Sequence, residues 1–358
     1  MPPEPRTDLR SRTADLRARQ GATSVPARDR QTHAPPRGAE ATPTRAGRGT
    51  LRFTVRAPAK VNLALRVGPR RADGFHDVAT LLVPLTLADV VAVRVARDRP
   101  GPVSCRVHGR PELDGPANLA ARAAEAFRAR FGVADRIAIE IEKRIPVTAG
   151  LGGGSSDAAA VLRALSRAYR LRDAAALAEV GLAVGSDVPF FLGRGPAWGG
   201  GRGELLTPAR VPRLHLVLLF PRDPGLAIRA ADAYRWLDLS REAAARRPRK
   251  PSIPRGAAWH PAMAWNDLQG PCFDRHPELS ALRAHLEGHG ATAAIMSGSG
   301  PTVFGVFADP AGARRAGREA QGVGLDVDVH VVRTLHRHPG VTPWKSPRSA
   351  SSRSPRTS

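Results

Sequence analysis

Cysteine is almost absent from this chain: Cys105 and Cys272 are the two among 358 residues. Two such residues, without metal-ligand spacing, exclude a disulfide framework, and a reducing cytoplasm is the expected compartment. Long apolar runs are missing too. No stretch approaches the roughly 18 consecutive apolar residues of a membrane-spanning helix. The N-terminus lacks the apolar core of a secretory signal, so a membrane is not an expected partner. Aromatic residues make up 5% of the chain, Lys is scarce, and 32 acidic residues face 55 Lys and Arg, a net charge of +23. Such an excess suits nucleic acid or an acidic surface. Here it is almost all Arg, scattered through an Ala-, Gly- and Pro-rich background as a compositional bias would leave it. Nucleic acid is therefore not an expected partner, whereas an acidic small ligand such as a nucleotide would be drawn to the surface. No His, Cys, Asp and Glu group has metal-ligand spacing, and no metal-binding residue is assigned.

What is present is a core: 42% of the residues are apolar. Residues 1–50 carry Pro, Arg, Thr and Gly with little apolar periodicity and read as a disordered basic extension; the Ser/Pro/Arg-rich tail 337–358 reads the same way, and 241–256 as a basic surface insertion. Between them, 51–57 and 61–67 read as strands, 76–96 as two or more strands around a bend, 118–132 as an amphipathic helix closed by Gly132, and 136–144 as a half-buried strand. Helices are predicted at about 155–169, 173–184, 226–237, 276–288 and 310–321. Extended structure is predicted for "VPFFLG" (188–193) and 215–220, a strand–loop–strand over 291–308, and a last strand over "DVDVHVVR". Strands and helices mix without a strict alternation, so the fold class is α+β.

The stretch "IPVTAGLGGGSSDAAAVLRAL" (145–165) follows a strand, carries Gly150, Gly152, Gly153 and Gly154, and runs into a helix. Glycines reach positive φ and let backbone N–H groups converge, and a helix N-terminus offers unpaired N–H groups to an anion. Strand, glycine loop and helix in that order make a phosphate cradle. It is neither a Walker A loop, which needs G-x-x-x-x-G-K-[ST], nor the G-x-G-x-x-G fingerprint. A tight turn would need fewer glycines. Ser155 or Ser156 would cap the helix. Asp157 is out of place, since an acid beside a triphosphate repels it; it either points away or meets a metal ion.

Lys60 follows "APA", where Pro58 fixes the backbone; it is either a positioned amine or a solvated surface lysine. Asp187 in "VGSDVPFF" is either a partly buried acid with a partner or a cap before Pro189. Phe75 and His76 in "ADGFHD" suit stacking on a flat base, or a hairpin turn with an ordinary core Phe. "MSGSGPTVFGVF" (296–307) and "AWGGGRGE" (197–204) are further small-residue loops.

In order along the chain, "PAKVNLAL", "RADGFHDVATLL", "IPVTAGLGGGSSDAAAVL", "GSDVPFFL", "WNDL" and "SGSGPTVFGVF" resemble the motifs of the GHMP kinases over about residues 51–335. The resemblance implies a ribosomal S5-like N-terminal ATP-binding domain (51–204) and a ferredoxin-like C-terminal domain (205–336), with the active site between them. The pairing of "PAKVNL" with "DGFH" points within the family to a cytidine-diphosphate-linked methylerythritol as the small-molecule substrate, phosphorylated on its 2-hydroxyl with ATP and Mg²⁺; homoserine, mevalonate and galactose are the competing alcohols. By motif, Lys60 and Asp187 become the catalytic pair. Pro146, Val147, Thr148, Ala149, Gly150, Leu151, Gly152, Gly153, Gly154, Ser155 and Ser156 become the ATP phosphate loop. Asn62 lies beside the substrate, Phe75 and His76 hold its cytosine, and 297–302 support the nucleotide loop. Phe75 stands where the family often has Tyr, and Asp157 where it often has Asn. A monomer or weak homodimer is the expected state. Another GHMP kinase acting on a different small alcohol, or a basic nucleic-acid-binding protein, are the rival readings.

Overall fold

The structure is a computed structural model describing residues 49–245, 251–252, 258–322 and 326–343. Most of the expected N-terminal extension, part of the 241–256 insertion and the end of the tail lie outside the described residues.

The backbone of the first half is one long antiparallel pair, β1 (Thr50–Arg70) with β2 (His76–Pro100). The sequence suggests breaks at "APA" and within 76–96. The structure carries both strands through them and absorbs the irregularity as register shifts at Pro58/Lys60, Asn62/Ala64 and Val67/Arg70. Proline donates no ladder hydrogen bond, so a bulge is where a strand can hold one. β3 (Val103–Val107) runs parallel to β4 (Asp135–Glu142), which pairs antiparallel with β2. α1 (Leu119–Phe131) is capped by the Asn118 side chain and ends on Gly132 at φ 63°. α2 (Gly153–Ala168) and α3 (Ala174–Val184) follow. The alternating apolar face of β4 (Ile137, Ile139, Ile141) and the helices' Phe127, Leu162 and Leu165 are buried in one cluster.

"VPFFLG" is not extended. It forms the short helix α4 (Val188–Leu192), with Pro189 in its first turn and Phe190 and Phe191 buried. A short apolar run carries no period that separates strand from helix, and proline is at home where a helix begins. β5 (Ala197–Gly200) then joins β2, and β6 (Leu205–Pro208) pairs with β5, so the first sheet extends past the expected boundary at 204.

The second sheet begins with β7 (His215–Pro221). α5 (Ala230–Ala243) enters the stretch expected to be insertion. β8 (Trp265–Asn266) pairs in parallel with β1 of the first sheet. α6 (Gln269–Phe273), α7 (Pro277–Gly288), β9 (Ala293–Met296), β10 (Val303–Phe307), α8 (Pro310–Gly322) and β11 (Val327–Arg333) complete it, in sheet order β11-β7-β10-β9. This is the antiparallel order of a ferredoxin-like unit.

The chain then returns. β12 (Val341–Pro343) pairs with Phe53–Val55 at the edge of the first sheet, and His338 is buried against Phe190 and Phe191. The tail expected to be disordered from 337 is therefore structured to 343. Composition points to disorder there, but pairing with a strand nearly three hundred residues away leaves no local trace. Among the described residues, no helix is long and apolar enough to cross a membrane.

Candidate active site

The glycine loop opens on a cavity of about 380 Å³ lined by Pro146, Val147, Thr148, Ala149, Gly150, Gly152, Gly153, Gly154 and Ser155. Two of the expected loop residues turn inward instead. Leu151 is core, its carbonyl accepting the Lys60 N–H at 2.9 Å, and Ser156 is 1% exposed inside α2. Two glycines have a packing reason beyond any ligand. At Gly150 (φ +73°) an added Cβ would stand 2.3 Å from the Ser297 carbonyl, and at Gly152 (φ +70°) 3.0 Å from Lys60 Cγ. The loop is thin because the 297–300 segment and Lys60 press against it. The first N–H groups of α2 have no acceptor earlier in their own helix and stand at the same cavity.

Beneath the loop lies a cluster that the motifs do not single out. Asp89 is fully buried; it accepts from the Arg144 and Ile145 N–H groups at 2.6 and 2.8 Å and from Lys143 Nζ at 2.5 Å. Lys143 Nζ also reaches Asp157 Oδ2 at 2.9 Å. Burial works against the ammonium, but Asp157 and Asp89 together hold the Lys143 pKa above its ordinary value. Burial pushes the Asp157 carboxyl up to about 8, against the pull of Lys143 and with help from Asp89. Burial thus favours the protonated form of Asp157, and the Lys143 ammonium at 2.9 Å answers the charge of the ionised form; both ease the repulsion that made it out of place. In a chain where lysine is scarce, Lys143 is as unusual a residue as Lys60.

Lys60 sits at the first register shift of β1, its N–H diverted from the ladder to Leu151. Its side chain is buried, Nζ donating to Asn62 Oδ1 at 2.8 Å and standing 3.6 Å from Asp187 Oδ2. Asn62 in turn donates to Thr80 Oγ1 at 2.7 Å. Lys60 is thus no solvated lysine. Asp187 precedes α4 but makes no side-chain cap bond; its carboxylate is 35% exposed.

Lys60, Asn62, Asp187 and Ser155 line a second cavity of about 730 Å³, which also reaches Phe75 and His76. It follows the β1–β2 face. The pairs Asn62–Leu82 and Val67–Val78 bracket it, five residues apart along β1 or roughly 17 Å at the rise of a strand. Phe75 is 48% exposed, with the Arg202 guanidinium 4.4 Å from its ring centroid. His76 is buried, stacked on Tyr234 at 5.1 Å and 25°, with Nε2 3.0 Å from Asp238 Oδ1. Burial, with Asp187 nearby, pushes the Tyr234 hydroxyl up to about 12, so it stays neutral. Tyr234 and Asp238 come from α5, which sequence reading treats as an ordinary helix. The 297–302 loop closes the arrangement: Ser297 Oγ donates to the Gly150 carbonyl at 3.1 Å, and Asn266 of "WNDL" donates to Met296 and Gly298 carbonyls at 2.8 and 2.7 Å. No group of three or more His, Cys, Asp or Glu among the described residues is placed to hold a metal.

Comparison with known proteins gives this arrangement its relatives. Residues 118–195 match the GHMP kinases N terminal domain, and residues 249–324 the GHMP kinases C terminal domain. A 4-diphosphocytidyl-2-C-methyl-D-erythritol kinase of Anaeromyxobacter is 63% identical over 313 residues, covering 86% of this chain and 99% of the relative. One from Geobacter metallireducens is 40% identical, covering 74% and 92%. A crystal structure of 4-(cytidine 5'-diphospho)-2C-methyl-D-erythritol kinase superposes with a TM-score of 0.61 at 35% identity, covering 78% of this chain and 98% of that one. A homoserine kinase from Cytophaga hutchinsonii shares the fold alone, at a TM-score of 0.60 and 16% identity. The chain belongs to the GHMP kinases and, within them, to the 4-diphosphocytidyl-2-C-methyl-D-erythritol kinase family.

Proposed function

We infer that the protein transfers the terminal phosphoryl group of ATP to the 2-hydroxyl of 4-(cytidine 5'-diphospho)-2-C-methyl-D-erythritol, a cytoplasmic step in non-mevalonate isoprenoid precursor synthesis. One observation carries this reading: a single cavity joins a lysine–aspartate pair beside the glycine loop to an exposed aromatic and a buried histidine at its other end. A kinase of a smaller alcohol has no use for that far end.

Phosphoryl transfer asks for position and charge compensation. The N–H groups of the loop and of α2 hold the nucleotide phosphates. Asp187 accepts the proton of the attacking hydroxyl. Lys60 stands 3.6 Å from the Asp187 carboxylate, and its amine stabilises charge on the group in transit. Asn62 fixes the amine from the other side. Phe75 and His76 bind the base, which supplies binding energy away from the reacting atoms. For Mg²⁺ the chain offers hard oxygen donors on one wall, the Asp187 carboxylate and the Ser155 hydroxyl. A Cβ added at Gly185, two residues before Asp187, would lie 3.7 Å from that hydroxyl. So few protein ligands would suit an ion that keeps several waters, and bound there it would offset phosphate charge.

The test is ADP release with the cytidine-linked alcohol beside homoserine and mevalonate. Turnover confined to the cytidine-linked alcohol is expected; preferred turnover of a free alcohol, or none with any, overturns the reading.

A further inference from the structure

We propose that Arg202 is a specificity residue that grips the diphosphate of the nucleotide-linked substrate; this rests on the substrate reading above. Arg202 lies in the turn between β5 and β6. Its backbone is anchored: the Arg202 N–H donates to Glu204 Oε2 at 2.6 Å, and the Val78 N–H donates to the Gly201 carbonyl at 2.7 Å. The turn is thus tied to β2 two residues beyond His76. Arg202 is half-buried on the cavity wall, and its guanidinium faces the Phe75 ring.

Its charge is unanswered. Nearby arginines have acids: Arg71 meets Asp73 and Asp77, and Arg235 meets Asp232. Among the described residues no carboxylate lies within ion-pair distance of Arg202. The two acids on the cavity wall, Asp187 and Asp238, are taken by Lys60 and His76. Arg70, on the same wall, has a single weak contact to the Gly74 carbonyl at 3.3 Å. Among the described residues, this end of the cavity therefore holds two guanidinium groups with no carboxylate in ion-pair reach.

The chemistry of the ligand selects the partner. Base, sugar and alcohol are neutral; the diphosphate between them carries the charge. A guanidinium presents a planar fork of donors that matches phosphate oxygens two at a time, and such charge-assisted pairs are short and strong. Without an anion, the same planar group rests on an aromatic face by cation–π attraction. Phe75 thus serves as the resting place of the arginine, which keeps the side chain ordered at the cavity mouth. The assignment makes Arg202 the group that separates a nucleoside diphosphate from a nucleoside.

The experiment measures binding of CDP and of cytidine to the full chain by calorimetry, with the glycine loop saturated by ADP, and KM and kcat for the cytidine-linked alcohol. Wild type, Arg202→Ala, Arg202→Lys and Arg222→Ala are compared; Arg222 is exposed, pairs with Asp326 and Asp328 and controls for net charge. Arg202→Ala is expected to weaken CDP about 10-fold or more, the range for a charge-assisted hydrogen bond. KM should rise by a similar factor, with cytidine affinity and kcat within about 3-fold of wild type. Arg202→Lys recovers part of the loss, because it keeps the charge without the fork. Arg222→Ala changes none of these. An unchanged ratio of CDP to cytidine affinity in Arg202→Ala, or an equal loss for both, overturns the assignment. A wild-type protein that binds CDP through Arg202 but fails to phosphorylate the cytidine-linked alcohol keeps the assignment and removes the substrate reading.

Discussion

Two lysines flank the glycine loop, and their surroundings differ in a way that separates chemistry from scaffolding. Lys143 is locked between Asp89 and Asp157 at 2.5 and 2.9 Å, with both acids almost wholly buried. Lys60 holds one amide at 2.8 Å and stands a looser 3.6 Å from an acid that is one-third exposed to the cavity. The first cluster commits its ammonium to two acids and fixes the strand end from which the loop departs, although Lys143 and Asp157 also line the loop's cavity. An unsaturated pair keeps one oxygen and a mobile proton acceptor available. Charge at a cavity wall does not by itself mark a reacting group; a partly exposed acid beside a loosely held amine does.

That contrast breaks most sharply at Asp187. Asp187→Ala should lower kcat by about 10²- to 10⁴-fold, the usual worth of a positioned base, with ATP KM within a few-fold. Coupled ADP release reads both, and near-normal turnover in a folded variant removes Asp187 from the proton transfer. Next comes Lys143→Met, which leaves two acids buried without their cation. It should destabilise the fold by about 3–5 kcal/mol, read by urea denaturation; a loss of turnover with unchanged stability would make Lys143 a reacting group instead.

Asp157→Asn sharpens the comparison through pH. The native carboxyl keeps its proton up to about pH 8, while the unfolded one loses it near 3.8. Between these values the native state binds more protons, so the contribution of Asp157 to stability is full at the acid end and is lost as pH rises. The wild type minus Asp157→Asn difference should fall with pH across that window, by at most about 1.4 kcal/mol per pH unit; a flat difference would show an ordinary carboxylate. The smallest effect is expected at Asp238. Asp238→Asn keeps a hydrogen bond to His76 but not the charge, and should raise substrate KM by about 3- to 10-fold with kcat nearly unchanged, a loss on the scale of one hydrogen bond. A fall in kcat with constant KM would move Asp238 toward the reacting centre.

The sequence made the local parts of this site legible. Lys60, Asn62, Phe75, His76 and Asp187 all reach one cavity, and nine of the eleven loop residues reach the other. They sit in turns and loops, at bulges, or at the first residues of a strand or helix, where short-range residue choice speaks. The Leu151 and Ser156 side chains turn inward, which a loop motif cannot say. Asp89 was hidden inside an apolar stretch that looked like a bend; its purpose depends on two strands bringing it beside residues 143–145. Arg202, Tyr234 and Asp238 acquire meaning only when α5 and the β5–β6 turn meet the strand end at His76. The α+β class was visible in the mixed rhythm, but α4 and β12 were not, since one is too short for a period and the other exists by virtue of a distant partner.

That last strand has a consequence for how the molecule is made. Synthesis runs from the N-terminus, yet Phe53–Val55 wait for Val341–Pro343 to complete their side of the sheet. Leu85 and Pro84 likewise wait for Thr334 and Leu335. The nascent chain must hold an open seam in this sheet until residue 343 has emerged, so a stop codon shortly before residue 334 would strip β1 and β2 of these ties.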